Sequence, residues 1–195
     1  GLLNPGVVYG YFPCQSEKNS LIIYDPDTHE ERERFTFPRQ DGKQNLCLAD
    51  FFLSVDSGEM DVIGLQLVTV GEKASEESQR LFSADKYKDY LLWHGFSVES
   101  AEGVAEYWHM KVREELGFAG EDADEIKGLF KQGYRCSRYS FGYPACPYLE
   151  DHIQFFRLMN PGRIGVELSE GFQLHPEQST SAIILHHPEA KYYSL

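Results

Sequence analysis

Basic side chains are scarce. The 195 residues carry 18 lysines and arginines against 31 aspartates and glutamates, a formal net charge of -13. Phosphate backbones are bound by clustered cations, so this balance argues against a nucleic-acid surface. Cysteine is sparse as well: Cys14, Cys47, Cys136 and Cys146, with no pair at the two-residue gap of a zinc knuckle or redox dithiol. A chain this long builds a core without staples, so free thiols in a reducing compartment are expected. No apolar run reaches the roughly 20 residues of a membrane span. The opening Gly1-Leu2-Leu3-Asn4-Pro5 lacks the regions of a signal peptide. The expectation is a cytoplasmic protein with neither a membrane nor a nucleic acid as partner. A Gly-x-Ser-x-Gly elbow, a phosphate loop and a dinucleotide fingerprint are also missing.

What is present reads as a globular chain, 42% hydrophobic and 25% charged. Residues 7–13, 20–25 and 34–38 have the alternation of half-buried strands, and 41–43 of a turn. The β-branched run 62–71 predicts a central strand. Helical spacing of Leu81, Tyr87, Tyr90, Leu91 and His94 predicts a helix that Gly95 ends. Ser97 then caps a second helix to Gly117, with Val98, Ala101, Ala105, Trp108, Val112 and Leu116 as its buried stripe and Lys111 and Arg113 at its favourable end for cations. A short acidic helix over 121–132 and another over 149–159, facing inward through Ile153, Phe156 and Met159, are expected. Further strands are expected at 164–168, 172–174 and 181–185. Strands, then helices, then strands predict a single α+β domain: a twisted, mainly antiparallel sheet with a helical layer packed on it.

The densest stretch is Arg138-Tyr139-Ser140-Phe141-Gly142-Tyr143-Pro144-Ala145-Cys146-Pro147. Its prolines suit neither a helix interior nor a central strand. Gly142 allows a positive φ or close backbone approach. Arg138 offers a planar fork that matches a carboxylate. Two readings stand side by side: a clamp for a ligand with a carboxylate and a ring, or an aromatic turn with Arg138 in a structural ion pair. Between 131 and 165, five basic residues (Lys131, Arg135, Arg138, Arg157 and Arg163) face only Glu150 and Asp151, a local excess that would steer an anionic group.

Other candidates are weaker. His109 lies three residues from Glu106 and seven from Glu102, so all three could share a helix face, but a metal would need partner helices. His186 and His187 are adjacent and would point to opposite faces of a strand, as would Tyr192 and Tyr193, where one ring could pack and the other stack on a ligand. Cys146 could act as a nucleophile with His152, though a packing cysteine is the commoner case.

The stretch from Arg138 to Pro147 resembles the Arg-x-x-x-Gly-Tyr signature of the activation-domain family of cobalamin-dependent methionine synthase. Cys47-Leu48-Ala49-Asp50-Phe51, the strand around Gly64, Leu168 to Phe172 and Pro188 to Tyr193 are also similar to that family, in order over nearly all of 1–195. The resemblance implies an S-adenosylmethionine site. Arg138 would hold the methionine carboxylate, and the backbone at Ser140 and Gly142 would touch the ligand. Tyr192 and Tyr193 would line the site, and Tyr143 would stand at its mouth. It also implies a role in reductive methylation of cob(II)alamin held on a partner domain, with a flavodoxin or diflavin reductase as electron donor. No catalytic acid or base and no metal ligand of the chain's own is implied. A helical segment that precedes the matching region in the family, with a ligand-binding aspartate, has no counterpart here. The alternative is a non-catalytic docking module for a cobalamin protein or flavodoxin.

Overall fold

The chain, seen in a computed structural model, is described over residues 1–41, 44–129 and 131–191. The turn expected at 41–43 lies largely outside these residues. Three antiparallel strands come first: β1 (Gly6–Glu17), β2 (Ser20–Tyr24) and β3 (Glu31–Thr36). Then follow β4 (Asp61–Thr69), helices α1 (Glu72–Ser83) and α2 (Tyr87–Glu115), and a one-turn helix α3 (Ile126–Leu129). The last third holds β5 (Ser137–Tyr139), α4 (His152–Met159), a two-residue pair β6 (Glu167–Leu168) and β7 (Leu174–His175), and β8 (Ser179–Leu185).

Six strands form one sheet in the order β3-β2-β1-β4-β8-β5, every neighbouring pair antiparallel. The expected central strand is β4, buried along seven of its nine residues. A strand reads as a near-continuous hydrophobic run when both its faces are covered, and β4 is such a strand. Ile63, Leu65 and Leu67 point into the main core, with Phe35, Leu48, Phe141, Phe155 and Ile183. The alternate residues face α2: Gln66 Nε2 donates to the Ala105 carbonyl at 2.9 Å, and on β8 Ile184 packs with Val112. The expected α+β sheet with its helical layer is present, and α4 covers the opposite face.

Several expectations about the helices fail for identifiable reasons. Gly95 does not end a helix, and Ser97 does not cap one. Both lie inside α2, where the Ser97 hydroxyl donates to the His94 carbonyl three residues back. An interior glycine costs about 1 kcal/mol, which 29 residues of packed helix absorb. The real break comes earlier: Asp85 has φ +54, and the Lys86 amide closes the end of α1 on the Leu81 carbonyl. The helix expected over 121–132 shrinks to α3 and a 3₁₀ turn at Ala119–Glu121. The inward face of α4 is His152, Phe155, Leu158 and Met159; Ile153 and Phe156 are only half-buried. The strand expected from 164 is delayed to 167 because Pro161–Ile164 close a 3₁₀ turn.

Arg113 lies in the last turn of α2, as expected, and is there a buried side chain, 1% exposed. Its Nε and Nη2 grip Asp122 at 2.8 Å each, and its guanidinium lies 4.0 Å over the Tyr134 ring. A buried charge persists only when paired and hydrogen-bonded, and Asp122 supplies both.

Candidate functional site

The Arg138 stretch begins as regular structure, against the expectation from its composition. Ser137–Tyr139 form β5, a short edge strand on β8. Prolines come only after it, so nothing removes a ladder donor. From Ser140 the chain leaves the sheet and folds back on itself. The Gly142 amide donates to the Cys146 carbonyl at 2.9 Å, and the Cys146 amide donates to the Tyr143 carbonyl at 2.9 Å. Gly142 has φ +88, the left-handed value expected of it, and a Cβ there would sit 3.1 Å from Leu149 Cδ2. Gln40 Nε2 reaches across to hold the Pro144 carbonyl at 2.8 Å. Phe141 is driven inward, its ring 4.8 Å from that of His152 and 5.8 Å from that of Phe155. This buried ring pins the loop and leaves Ser140 and Tyr143 on its outer side.

Between that outer side and α2 lies an open hollow of about 520 Å³. One wall carries Arg138, Ser140 and Tyr143; the other carries Glu99, Glu102 and Glu106; Gln132 and Tyr134 stand beside them. Arg138 Nη2 donates to Glu106 Oε2 at 3.1 Å and lies 3.8 Å from Glu102 Oε2. The arginine side chain is 17% exposed, those of Glu106 and Glu102 39% and 49%. Both readings of Arg138 are thus realised together: it is ion-paired, and it borders an open cavity. The wall of three carboxylates against one guanidinium makes the hollow suited to a ligand that carries a carboxylate and also positive charge.

The structure brings Arg138, Ser140 and Tyr143 around the hollow. Gly142 stands behind it, facing Leu149, as the residue that turns the loop. Tyr192 and Tyr193 lie outside the described residues. Sequence reasoning misses the acids of α2 as part of this site, although Glu99, Glu102 and Glu106 fall at i, i+3 and i+7, one helix face. His109 does not join them. It is fully buried, edge-on to Tyr134 at 5.4 Å, and burial beside Arg113 and Arg138 holds its pKa well below the usual value, so its ring stays neutral. Among the described residues no three His, Cys, Asp or Glu are grouped to hold a metal.

The Cys146–His152 nucleophile has no geometry. Cys146 is fully buried, burial pushes its thiol up to about 12, and its Sγ is engaged by the Ser140 carbonyl. Both nitrogens of His152 are occupied, Nδ1 by the Phe172 carbonyl at 2.9 Å and Nε2 by the Ser181 hydroxyl at 2.7 Å. His186 and His187 do diverge: the first meets Asp61 at 2.7 Å, the second lies against Phe51.

The antiparallel α+β domain presents a charged crevice beside its edge strand, which defines it as a domain with a candidate ligand site. Comparison makes this particular: residues 1–195 match the family described as vitamin B12 dependent methionine synthase, activation domain, and the chain belongs to that family. It is 48% identical over 202 residues to the methionine synthase of Mycobacterium leprae (strain TN), covering 97% of this chain and 17% of that protein. It is also 48% identical over 207 residues to the methionine synthase of Mycobacterium tuberculosis (strain ATCC 25618 / H37Rv), covering 100% and 17%. The chain therefore spans about a sixth of the length of these curated relatives. Among solved structures, a MetH reactivation domain bound to AdoHcy superposes with a TM-score of 0.90 at 29% identity, over 99% of this chain and 62% of that one.

Proposed function

We propose that this chain binds S-adenosylmethionine in the hollow between α2 and the Arg138 loop and so supports reductive methylation of cob(II)alamin in a cobalamin-dependent methionine synthase. The observation that carries the reading is the pairing of walls, Arg138 on one side and Glu102 and Glu106 on the other. The ligand has a carboxylate for the guanidinium, and an ammonium and a sulfonium for the acids. Arginine meets a carboxylate through two parallel charge-assisted bonds. The hollow falls within the roughly 300–1,000 Å³ of small-molecule sites. The similar reactivation domain holds AdoHcy, the ligand's demethylated form.

The chain's own work is positioning. Arg138 fixes the amino-acid end and the backbone at Ser140 accepts the rest, while Gly142, assigned to the site by resemblance, turns the loop behind it. Tyr143, 54% exposed, stands at the opening toward an incoming partner. Tyr192 and Tyr193 are assigned to the same site by resemblance. The corrin of a partner domain supplies the methyl acceptor, and an external flavodoxin or diflavin reductase supplies the electron. Holding the sulfonium in line with its acceptor gains several kcal/mol over a free encounter, and no proton transfer by this chain is required. The proposal takes 1–195 as the activation-like domain of a larger assembly in the cytoplasm, with further ligand contacts from outside these residues. No described helix is long and apolar enough to cross a membrane.

One observation favours a second reading. The Glu106 carboxylate already occupies Arg138, as in a module that only docks a cobalamin protein or flavodoxin. Calorimetric titration with S-adenosylmethionine separates the two. The first expects binding by the wild type and a loss of about 1.5–3 kcal/mol in Arg138→Ala. Equal binding by both proteins counts against the first, and partner capture without ligand binding supports the second.

A further inference from the structure

After β8 the chain runs from His186 to Lys191 without joining a sheet or helix. Its carbonyl groups are satisfied instead by side chains that precede or belong to β5. Arg135 Nε donates to the His186 carbonyl at 2.8 Å. Ser137 Oγ donates to the Ala190 carbonyl at 2.6 Å. Tyr139 OH donates to the Lys191 carbonyl at 2.8 Å. The tie is returned: Lys191 Nζ donates to the Tyr134 and Gln132 carbonyls at 2.6 and 3.3 Å. Ala190, between the anchors, is fully buried.

The location of these ties matters. Side chains of successive strand residues point to opposite faces. Ser137 and Tyr139 turn back to hold the 186–191 segment, while Arg138 between them turns to Glu106 across the hollow. Gln132 and Tyr134, whose carbonyls anchor Lys191, are themselves residues of the hollow's wall. The segment is therefore tied at both ends of the stretch that builds the crevice, with side-chain hydrogen bonds as its fastening.

We infer that Ser137, Tyr139 and Arg135 are positioning residues: they hold residues 186–191 as a strap behind the edge strand, and the strap braces the Gln132 and Tyr134 backbone of the crevice wall, so that ligand affinity depends on the strap being tied. This rests on the reading of the crevice as an S-adenosylmethionine site. Arg135 and Tyr139 are not among the described residues that line the hollow and act through the segment they hold; Ser137 borders it, with its hydroxyl spent on the Ala190 carbonyl. Buried donors of this kind fix geometry because releasing one leaves a carbonyl unsatisfied.

The test uses the 195-residue chain and S-adenosylmethionine itself. Tyr139→Phe keeps the buried ring and deletes one of the three donors; Ser137→Ala deletes a second. Each is expected to weaken binding about three- to tenfold at 25 °C. Amide exchange at Ala190 is expected to accelerate in both, with the exchange of β4 unchanged. Tyr24→Phe, which removes a hydroxyl bond to Gln15 on a distant strand, serves as the control: it is expected to lower thermal stability without changing affinity. If the wild type binds and Arg138→Ala does not, while Tyr139→Phe and Ser137→Ala bind like the wild type, the strap inference is overturned and the ligand reading stands. The strap inference is likewise overturned if affinity merely tracks melting temperature, control included. If the wild type does not bind, both fall. Should Tyr139→Phe fail to fold, Lys191→Met, which releases the Gln132 and Tyr134 carbonyls, decides: weakened binding supports the strap and wild-type affinity overturns it.

Discussion

Glu106 of α2 and Arg138 of β5 meet across the crevice at 3.1 Å, joining the helical layer to the edge of the sheet at the very residue proposed to hold the ligand. Under the proposed function, a ligand carboxylate entering this site would take over the guanidinium and release Glu106 to face the ligand's positive end. The acid would then favour the cationic sulfonium over the neutral thioether. Glu106→Gln is expected to reduce the affinity ratio of S-adenosylmethionine to S-adenosylhomocysteine by up to about fivefold, since a half-exposed carboxylate is worth at most ~1 kcal/mol. Paired titrations of both ligands at low and high salt measure it. An unchanged ratio would show that Glu106 has no part in the selectivity.

The Arg113–Asp122 pair carries a larger energy. Removing one member of a buried pair leaves an uncompensated charge and costs about 3–5 kcal/mol. Asp122→Ala is expected to lose that much in urea unfolding, because Arg113 remains almost wholly enclosed. A loss below about 1 kcal/mol, the range of exposed pairs, would mean that water reaches the guanidinium easily.

Gly95 offers the opposite sign. It lies within α2, and a Cβ there would meet nothing within 4 Å. Gly95→Ala should stabilise the protein by about 0.5–1 kcal/mol, seen as a rise in melting temperature of a few degrees.

Asp151, at the start of α4, carries a carboxyl that burial first, and neighbouring Glu150 second, pushes up to about 6. Its folded pKa exceeds its unfolded value, so the native state binds the extra proton and this residue's contribution favours folding below about pH 4. That contribution is lost as pH rises through about 6. Asp151→Asn should flatten the stability profile between these limits and raise the melting temperature at pH 7. A wild type and mutant with parallel profiles would contradict it.

All four cysteines are buried, and burial raises each thiol, that of Cys136 to about 11. A thiolate is the reactive form, so native protein should resist a maleimide that labels all four sites after unfolding. Rapid labelling of Cys146 in the native state would reopen the nucleophile reading.

Strand β4 is legible in the sequence because β-branched residues covered on both faces leave an unmistakable run. Its ends differ from expectation by only one or two residues. The division between α1 and α2 is not legible, because Gly95 and Ser97 carry the local marks of a helix end while the actual break falls at Asp85, a left-handed residue that no glycine announces. Strand β5 is hidden by the prolines that follow it. At the site, Arg138, Ser140 and Tyr143 stand out as a composition, but the carboxylates opposite do not: glutamates on a helix usually mean a solvated face, and only the packing of α2 against the sheet reveals that three of them border a cavity. Arg113 escapes notice for the same reason, as nothing local distinguishes a buried arginine from a surface one.

An uninterrupted α2 is a rod of roughly 44 Å. Exposed Leu92 and Phe96 ride on it about two turns and one turn before Glu99, and Glu102 and Glu106 follow on the same shaft. A joint at Gly95 would have insulated one end from the other. Without it, those apolar side chains and the acids that confront Arg138 share one unbroken hydrogen-bonded rod.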